Sequence, residues 1–256
     1  MIYAIKKKFF HLFYFLGVDL RKILALFTFP RYFFHVFLWI KNGGEISKIY
    51  PQLTDITTES GNAKGHYFHQ DLLIAQRIYI NKPKKHIDIG SRIDGFVAHV
   101  ASFREIIVLD TRPLKIKSHK NIKFIKQNLL NNLQKNITAD SVSCLHALEH
   151  FGMGRYGDEI NVDGHIIGLK HIHKILKKNG ILYISIPISN KSRVEFNAHR
   201  IFSPNDFVSL LNIGVSYKLL RFDYVDDFGD LHLNKKIHSR LKNISYGCGI
   251  LMLQKI

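Results

Sequence analysis

The chain has 256 residues, of which 46% are hydrophobic, and a formal net charge of +17 at pH 7. We expect one α/β core of catalytic size with an appendage, and this length and composition argue against two equal domains. Its two cysteines, Cys144 and Cys248, lie in apolar strand-like runs without a CxxC motif, which argues against a disulfide framework and predicts reduced core residues of a cytoplasmic protein.

The first 44 residues are predicted to form an amphipathic segment. Residues 1–42 contain thirteen aromatic residues and seven Lys or Arg against a single acidic residue, Asp19. The longest uncharged stretch, Phe9–Val18, would span about 15 Å as a helix, which is too short to cross a bilayer. We predict two short helices, Ile5–Phe15 and Phe33–Ile40, separated by Pro30. They either lie in an anionic membrane interface or pack on the core or on a partner.

Residues 45–66 are predicted to be a linker and cap, because Pro, Thr, Ser and Gly occur there without a clear period. Helical spacing resumes in GHYFHQDLLIAQRIYI. The residues expected on its buried face are Phe68, Leu72, Ala75 and Ile78. This helix opens a domain that we predict to span residues 67–256.

The stretch Lys85–Asp110, KHIDIGSRIDGFVAHVASFREIIVLD, predicts a βαβ unit with a glycine turn at Gly90. Such a turn lets a ligand approach backbone N–H groups, and an acidic residue about 20 positions later can bind both hydroxyls of a ribose. Asp110 lies 20 residues beyond Gly90. The pattern therefore indicates a nucleoside site, with an ordinary turn and a solvated Asp110 as the alternative.

The alternation of strands and helices continues along the chain. Strands are predicted at Ile122–Ile125 and Ser141–Leu145, and a helix at Ile166–Leu176 with Gly180 at its C-terminal end, before the strand ILYISIPI. This order predicts a parallel sheet covered on both faces. The segments LLRFDYVDD and GCGILMLQKI then predict a hairpin-like pair at one edge of the sheet.

Four segments in this order resemble the class I S-adenosylmethionine-dependent methyltransferases: DIGSRIDGF, VLD, DSVSCLHALEHF and HKILKKNGILYISIP. The resemblance implies a Rossmann-like, seven-stranded α/β sheet with an antiparallel last strand over about Tyr67–Ile256. It also implies S-adenosylmethionine as cofactor. The motifs LEHFGMGRYGDEINVDG and FNAHRIFSP are similar to a methyltransferase-like family of unknown function, whose members include proteins associated with bacterial surface-polysaccharide synthesis.

The resemblance also implies roles for individual residues. The loop around the methionine part of the cofactor would consist of Asp88, Gly90, Ser91 and Gly95. Asp110 would hold the ribose, Asn128 would lie near the adenine, and His146 would lie beside the transferable methyl. The family usually has the turn D-x-G-x-G-x-G, whereas Arg92 and Asp94 stand where its second and third glycines would be, so the backbone is expected to approach a ligand less closely.

Residues that could act on an acceptor follow the predicted fourth and fifth strands. The candidate catalytic residues are His146, Glu149, His150 and His199, because a base assists methyl transfer to a hydroxyl. The candidate substrate-binding residues are Arg155, Tyr156 and Arg200, because guanidinium groups can bind a phosphate or carboxylate. Each of these residues also fits a purely structural role in its loop.

Two metal motifs are incomplete. His146–His150 fits H-x-x-E-H, but that pattern needs both histidines on one helix, and His146 is predicted to end a strand. The segment EINVDG resembles half of a calcium loop, yet Lys170 stands where a glutamate is required. We therefore predict no metal site.

The sequence as a whole predicts a cytoplasmic, peripherally membrane-associated methyltransferase that modifies a sugar hydroxyl of a small-molecule or glycan precursor. One alternative is a non-catalytic module of the same pathway that has lost the cofactor. An RNA methyltransferase ranks last, because no aromatic-basic RNA motif accompanies the charge. The sequence gives no indication of the oligomeric state.

Overall fold

The computed structural model describes residues 17, 25–57, 59–115, 119–134, 137–237 and 241–256. It divides into two compact units, Met1–Asn62 and Ala63–Ile256. The predicted helix Ile5–Phe15 lies outside the described residues. The division falls within residues 45–66, whose role as a linker and cap stays a prediction.

Helix α1 of the first unit, Phe29–Lys41, confirms a helix at the predicted place but begins earlier than Phe33. Pro30 lies in its first turn, where the missing N–H has no intrahelical partner to lose. Pro30 therefore opens this helix instead of only interrupting the apolar run. In the described part of the chain, no helix is both long enough and apolar enough to span a membrane.

The second unit alternates strands with helices, as predicted. Its strands are β1 (His86–Ile89), β2 (Ile106–Asp110), β3 (Ile122–Lys126), β4 (Ala139–Leu145), β5 (Leu176–Ile188), β6 (Arg193–Glu195), β7 (His199–Ile201), β8 (Tyr217–Val225), β9 (Leu231–His232) and β10 (Gly247–Lys255). Its helices are α2 (His66–Asn81), α3 (Ala98–Ala101), α4 (Gly164–Ile175) and α5 (Pro204–Leu210).

One sheet of eight strands forms the centre of this unit, in the order β3-β2-β1-β4-β5-β10-β8-β9. The five neighbouring strands β3, β2, β1, β4 and β5 are parallel to one another, whereas β10 is antiparallel to both β5 and β8. The predicted seven-stranded sheet with an antiparallel last strand is confirmed, with the two-residue β9 added at one edge. The predicted pair β8 and β10 is also present, but β10 lies inside the sheet and not at its edge.

Apolar clusters cover both faces of this sheet. On α2, the prediction that Ala75 and Ile78 are buried is confirmed. The prediction was wrong for Phe68 and Leu72, which are 39% and 44% exposed, because the helix instead turns the polar residues Gln70, Asp71 and Arg77 inward.

The end of α4 also differs from the prediction. The helix ends at Ile175, and Leu176 already pairs with Ala139 of β4. The left-handed residue in the following turn is Asn179, with φ of 59°, and not Gly180. Lys177 and Lys178 therefore belong to an irregular start of β5 and not to the helix C-terminus.

Candidate functional site

The carboxyl ends of β1 to β4 meet at a cleft with two adjoining cavities. We call them the inner cavity, of about 60 Å³, and the outer cavity, of about 370 Å³. The inner cavity lies beside Asp110 and Asn128, and the outer cavity lies beside Asp71, Ser91 and Gly95. The residues that line both cavities are Gly90, Arg112, His146 and Tyr156. Ligands of open α/β sheets bind at this edge of the strands.

The turn after β1 needs glycine at Gly90. Its φ is +76°, in the left-handed region that side chains disfavour. A Cβ there would also lie 2.9 Å from the Cβ of Ala147. Its N–H donates to the carbonyl of Leu109 at 2.9 Å, so the turn is fixed against β2 and its backbone lines both cavities.

Asp88 holds this turn from inside the protein. It is completely buried, and its carboxylate accepts from the N–H of Ser91 at 3.0 Å, the hydroxyl of Ser91 at 2.8 Å and the hydroxyl of Ser143 at 2.5 Å. Burial raises the pKa of Asp88 to about 7, against the opposing effect of these hydrogen bonds. Asp88 thus shapes the predicted cofactor loop, while Ser91 and Gly95 face the outer cavity.

Arg92, which replaces a family glycine, does not fill the turn. Its guanidinium binds the carboxylate of Asp94, with Nη2 2.6 Å from Oδ2, and both side chains are 71% exposed. The side chains that depart from the glycine pattern therefore pair with each other at the solvent-facing rim of the outer cavity.

Asp110 ends β2 in the predicted position, but its carboxylate is occupied by Arg112. The guanidinium makes two hydrogen bonds, from Nε to Oδ1 at 3.0 Å and from Nη2 to Oδ2 at 2.6 Å. The same guanidinium lies 4.6 Å from the ring centroid of Tyr156. A ribose at Asp110 must therefore displace Arg112, whose side chain is 43% exposed.

Asn128 lines the inner cavity, and its place near an adenine stays a prediction. Its side-chain oxygen accepts from the N–H of Leu130 at 2.9 Å, so the side chain stabilises its own turn. The neighbouring Gln127 donates to the carbonyls of Asn128 and Asn132. The turn after β3 is thereby held in one conformation at the far end of the cavity.

His146, Glu149 and His150 are brought together after β4. His146 has a φ of +48°, and its Nδ1 lies 2.8 Å from Oε1 of Glu149. That oxygen also lies 3.7 Å from Nε2 of His150. All three side chains are at least nine-tenths buried, and both histidines line the inner cavity.

The proton positions of the two histidines differ. Nδ1 of His150 lies 2.7 Å from the carbonyl oxygen of Ala198, so Nδ1 carries the proton and Nε2 is left as a base. Burial lowers the pKa of His150, which keeps the ring neutral. Burial also opposes protonation of His146, but Cys248 and Glu149 outweigh it and raise the pKa of His146 well above its ordinary value.

His199 and Arg200 serve the structure around the site and do not line the cavities. His199 lies on β7, with Nε2 3.1 Å from Oε2 of Glu195. Arg200 is buried and donates to the carbonyls of Phe151 at 2.7 Å and Val162 at 3.1 Å. The interpretation of Arg200 as an acceptor ligand is therefore corrected, because its donors hold the insertion between β4 and α4.

Arg155 and Tyr156 belong to that insertion and reach the cleft. Arg155 donates to the carbonyl of Ala198 at 2.8 Å and lines the outer cavity. Tyr156 stands perpendicular to the ring of His150, at 5.4 Å between centroids, and the guanidinium groups of Arg112 and Arg155 lie 4.6 Å and 5.3 Å from the centroid of the Tyr156 ring. Both residues line the outer cavity, while Asp158 ties the loop down by accepting from the N–H of Gly152.

Sequence reasoning missed Arg112 and Asp71. Asp71 lines the outer cavity from α2, and burial raises its pKa to about 6. For Asp71, the available signal was its position on the inner face of a predicted helix, but the apolar residues of that helix obscured this signal. For Arg112, the spacing of two residues from Asp110 gives no pattern that sequence alone could rank.

One protein family matches this chain over part of its length. Residues 96–217, just under half of the chain, match the model of the family described as "Caenorhabditis protein of unknown function, DUF268". Over these residues the chain is similar to the DUF268 family. This match contains both LEHFGMGRYGD and FNAHR, the motifs from which the narrower resemblance was predicted. No curated protein matches the chain in sequence.

Solved structures show which fold this chain shares. The 1,6-didemethyltoxoflavin-N1-methyltransferase of Burkholderia thailandensis, with bound 1,6-didemethyltoxoflavin and S-adenosylhomocysteine, matches with a TM-score of 0.53 and 14% identity, over 73% of this chain and 78% of that one. The [4+2]-cyclase SpnF matches with a TM-score of 0.51 and 11% identity, over 93% and 96%. The fold is therefore that of class I methyltransferases, and because one match is a cyclase, the fold alone does not fix the reaction.

Proposed function

We propose that this DUF268 protein is an S-adenosylmethionine-dependent methyltransferase that acts on a sugar hydroxyl of a glycan precursor. The observation that supports it most is the carboxylate of Asp110 at the end of β2, facing a cavity that continues past Gly90 to Asp71. In this arrangement Asp110 binds the ribose, and Asp71 binds the α-ammonium of the methionine part. The bound S-adenosylhomocysteine of the Burkholderia enzyme supports the same cofactor here.

Methyl transfer needs the acceptor oxygen held about 3 to 3.5 Å from the methyl carbon, in line with the carbon–sulfur bond. The cofactor supplies the methyl on its sulfonium when it is bound. The residues of this chain orient the acceptor and remove its proton. Nε2 of His150 is the proposed base, because its Nδ1 donates to Ala198 and its pKa is lowered by burial. Arg155 and Tyr156 are the proposed contacts to the acceptor.

The test is transfer of a labelled methyl from S-adenosylmethionine to a pool of nucleotide-linked and lipid-linked sugars. The variant His150→Ala should lower kcat by about 100-fold or more, while calorimetry shows unchanged binding of S-adenosylhomocysteine. His171→Ala is the matched control, because Nδ1 of His171 also lies 2.7 Å from a backbone carbonyl, that of Leu129, and His171 itself lines neither cavity. Equal transfer by wild type and His150→Ala would remove His150 as the base.

One observation favours a second function, a non-catalytic module. Arg112 occupies both oxygens of Asp110 in the position where a ribose would bind. If that pair is permanent, the cleft is closed by the protein itself, and the fold serves as an assembly partner. Absence of S-adenosylhomocysteine binding in both wild type and Arg112→Gln would support this second function and contradict the first.

For the first unit we propose contact with an anionic membrane surface. Helix α1 has no buried residue, and the large side chains Phe33, Phe37 and Trp39 are 58–59% exposed. Arg31 and Lys41 on the same helix add positive charge, and the helix contains no acidic residue. Full-length protein should sediment with phosphatidylserine vesicles, and the double variant Phe33→Ser and Phe37→Ser should not. Equal sedimentation of the two proteins would contradict membrane contact through α1.

A further inference from the structure

Three side chains that commonly bind metals meet beside the cleft, although they are far apart in sequence. His66 lies in the first turn of α2, His146 follows β4, and Cys248 lies on β10. One potential ligand atom from each lies within 4.8 Å of those of the other two. Two imidazoles and a thiolate suit zinc and other thiophilic divalent cations.

The free ring nitrogen of His146 is the second observation. The side chain is 4% exposed, and Nδ1 is 2.8 Å from the carboxylate of Glu149. Nε2 is buried and has no hydrogen-bond partner among the described residues. A buried nitrogen without a partner costs about 1 to 3 kcal/mol, and a cation would satisfy it. A histidine whose other nitrogen contacts a carboxylate is the usual arrangement of a metal ligand.

His66 is placed beside His146. Its ring lies parallel to the ring of His146, with 5.2 Å between centroids. Around zinc, with bonds of about 2.0 Å to nitrogen and 2.3 Å to sulfur, ligand atoms lie about 3.3 to 3.8 Å apart, so a rotation of the half-buried His66 ring would complete the geometry.

The charges also balance around a divalent cation. A thiolate at Cys248 and the carboxylate of Glu149 together carry two negative charges, which equal the charge of the ion. On binding, the thiol proton of Cys248 would be released to solvent, and Nε2 of His146 would coordinate through its lone pair, so that the buried charge stays compensated.

We propose that His66, His146 and Cys248 form a binding site for a thiophilic divalent cation such as Zn²⁺, with Glu149 as a positioning residue for His146. The site replaces the prediction of no metal, which rested on the H-x-x-E-H and EINVDG patterns alone. Three protein ligands leave one coordination position for water or an acceptor oxygen. The site does not depend on S-adenosylmethionine, so it goes beyond the proposed function.

The test is titration of metal-free, full-length protein with Co²⁺, followed by absorption spectroscopy and competition with Zn²⁺. Wild type should bind one equivalent of Co²⁺ and show the thiolate-to-cobalt charge-transfer band together with intense tetrahedral d–d bands. Cys248→Ser should lose the charge-transfer band. Cys144→Ser is the matched control, because Cys144 is also a completely buried free thiol of the sheet, and it should keep the band.

A second pair of variants guards against misfolding. His66→Ala, at a half-buried position, should weaken Co²⁺ binding at least 10-fold, and Glu149→Gln should weaken it about 10- to 100-fold while keeping the charge-transfer band. His69→Ala, one turn further along α2, should bind as wild type does. Far-UV circular dichroism confirms folding of each variant.

Two results would overturn the proposal: a wild type without the charge-transfer band, or an equal band in wild type and Cys248→Ser. Asp110→Ala should bind Co²⁺ as wild type does even though its affinity for S-adenosylhomocysteine is lowered. Failure of the metal site and failure of the proposed function are therefore distinguishable.

Discussion

Two arginine–aspartate pairs of the second unit have the same contact distance but different surroundings. Arg77 of α2 and Asp223 of β8 lie in the interior, and Arg112 and Asp110 lie at the cleft. In both pairs Nη2 is 2.6 Å from Oδ2. The side chains of the interior pair are 7% and 0% exposed, whereas Arg112 in the cleft is 43% exposed.

The contact distance alone therefore does not distinguish a fixed ion pair from one that a ligand can displace. In the interior, neither charge can reach water, so removing one partner leaves the other unpaired at low dielectric. Arg77 even leaves Nε and Nη1 without partners among the residues described. In the cleft, Arg112 can turn into solvent and exchange the carboxylate for water, so a ligand can replace it at low cost.

The largest expected effect is on the interior pair. Arg77→Met should lower the free energy of unfolding by about 3 to 5 kcal/mol, because the carboxylate of Asp223 then stays buried without its counter-charge. Urea denaturation followed by circular dichroism measures this. The double variant Arg77→Met and Asp223→Leu should recover most of the loss. A single variant as stable as wild type would show that the two pairs do not differ as their burial implies.

At the cleft, Asp110→Ala should weaken binding of S-adenosylhomocysteine by about 30-fold or more, since two charge-assisted hydrogen bonds to a ribose are worth about 2 kcal/mol or more together. Stability should change far less than for Arg77→Met. Isothermal titration calorimetry measures the affinity, and urea denaturation of the same preparation measures the free energy of unfolding. Unchanged affinity in Asp110→Ala would mean that this carboxylate does not bind the ribose.

Arg112→Gln should raise the affinity for S-adenosylhomocysteine, and by less than Asp110→Ala lowers it. It removes the competitor for Asp110, and because a half-exposed ion pair is worth at most about 1 kcal/mol, affinity for S-adenosylhomocysteine should rise by up to about fivefold. The same calorimetric titration measures it. A loss of affinity in this variant would show instead that Arg112 contacts the ligand.

The smallest effect is expected at the rim. Arg92→Ala breaks the pair with Asp94, in which both side chains are 71% exposed. We expect no measurable change in stability or in affinity for S-adenosylhomocysteine, because both groups are already solvated. A clear gain in affinity would mean that Arg92, in place of the family glycine, obstructs the cofactor after all.

The sequence was sufficient for the order of β1 to β5 with the helices α2, α3 and α4, and for the turn at Gly90. These features follow from local periods and from one spacing, that between Gly90 and Asp110. It also placed His146 at the end of β4, because the apolar run stops there. These features depend only on residues that are close in sequence, and they determine the first four strands and the position of the cleft.

The remaining features depend on contacts that no local pattern contains. Arg112 reaches Asp110 through the rotamer of its side chain. Asp88 points inward because the hydroxyl of Ser143, on another strand, donates to its carboxylate. Arg200 reaches carbonyls 38 to 49 residues away in sequence. The meeting of His66, His146 and Cys248 requires α2, β4 and β10 to be assembled first, so spacing rules for metal motifs could not detect it.

The position of β10 in the sheet has a consequence for how the protein is made. This strand is synthesised after all its neighbours, yet it lies between β5 and β8. Until residues 247–255 emerge from the ribosome, β5 and β8 each present an unpaired edge that invites aggregation. Cys248 arrives on the same strand, so uptake of a cation by the proposed site would report that a nascent chain has closed its sheet.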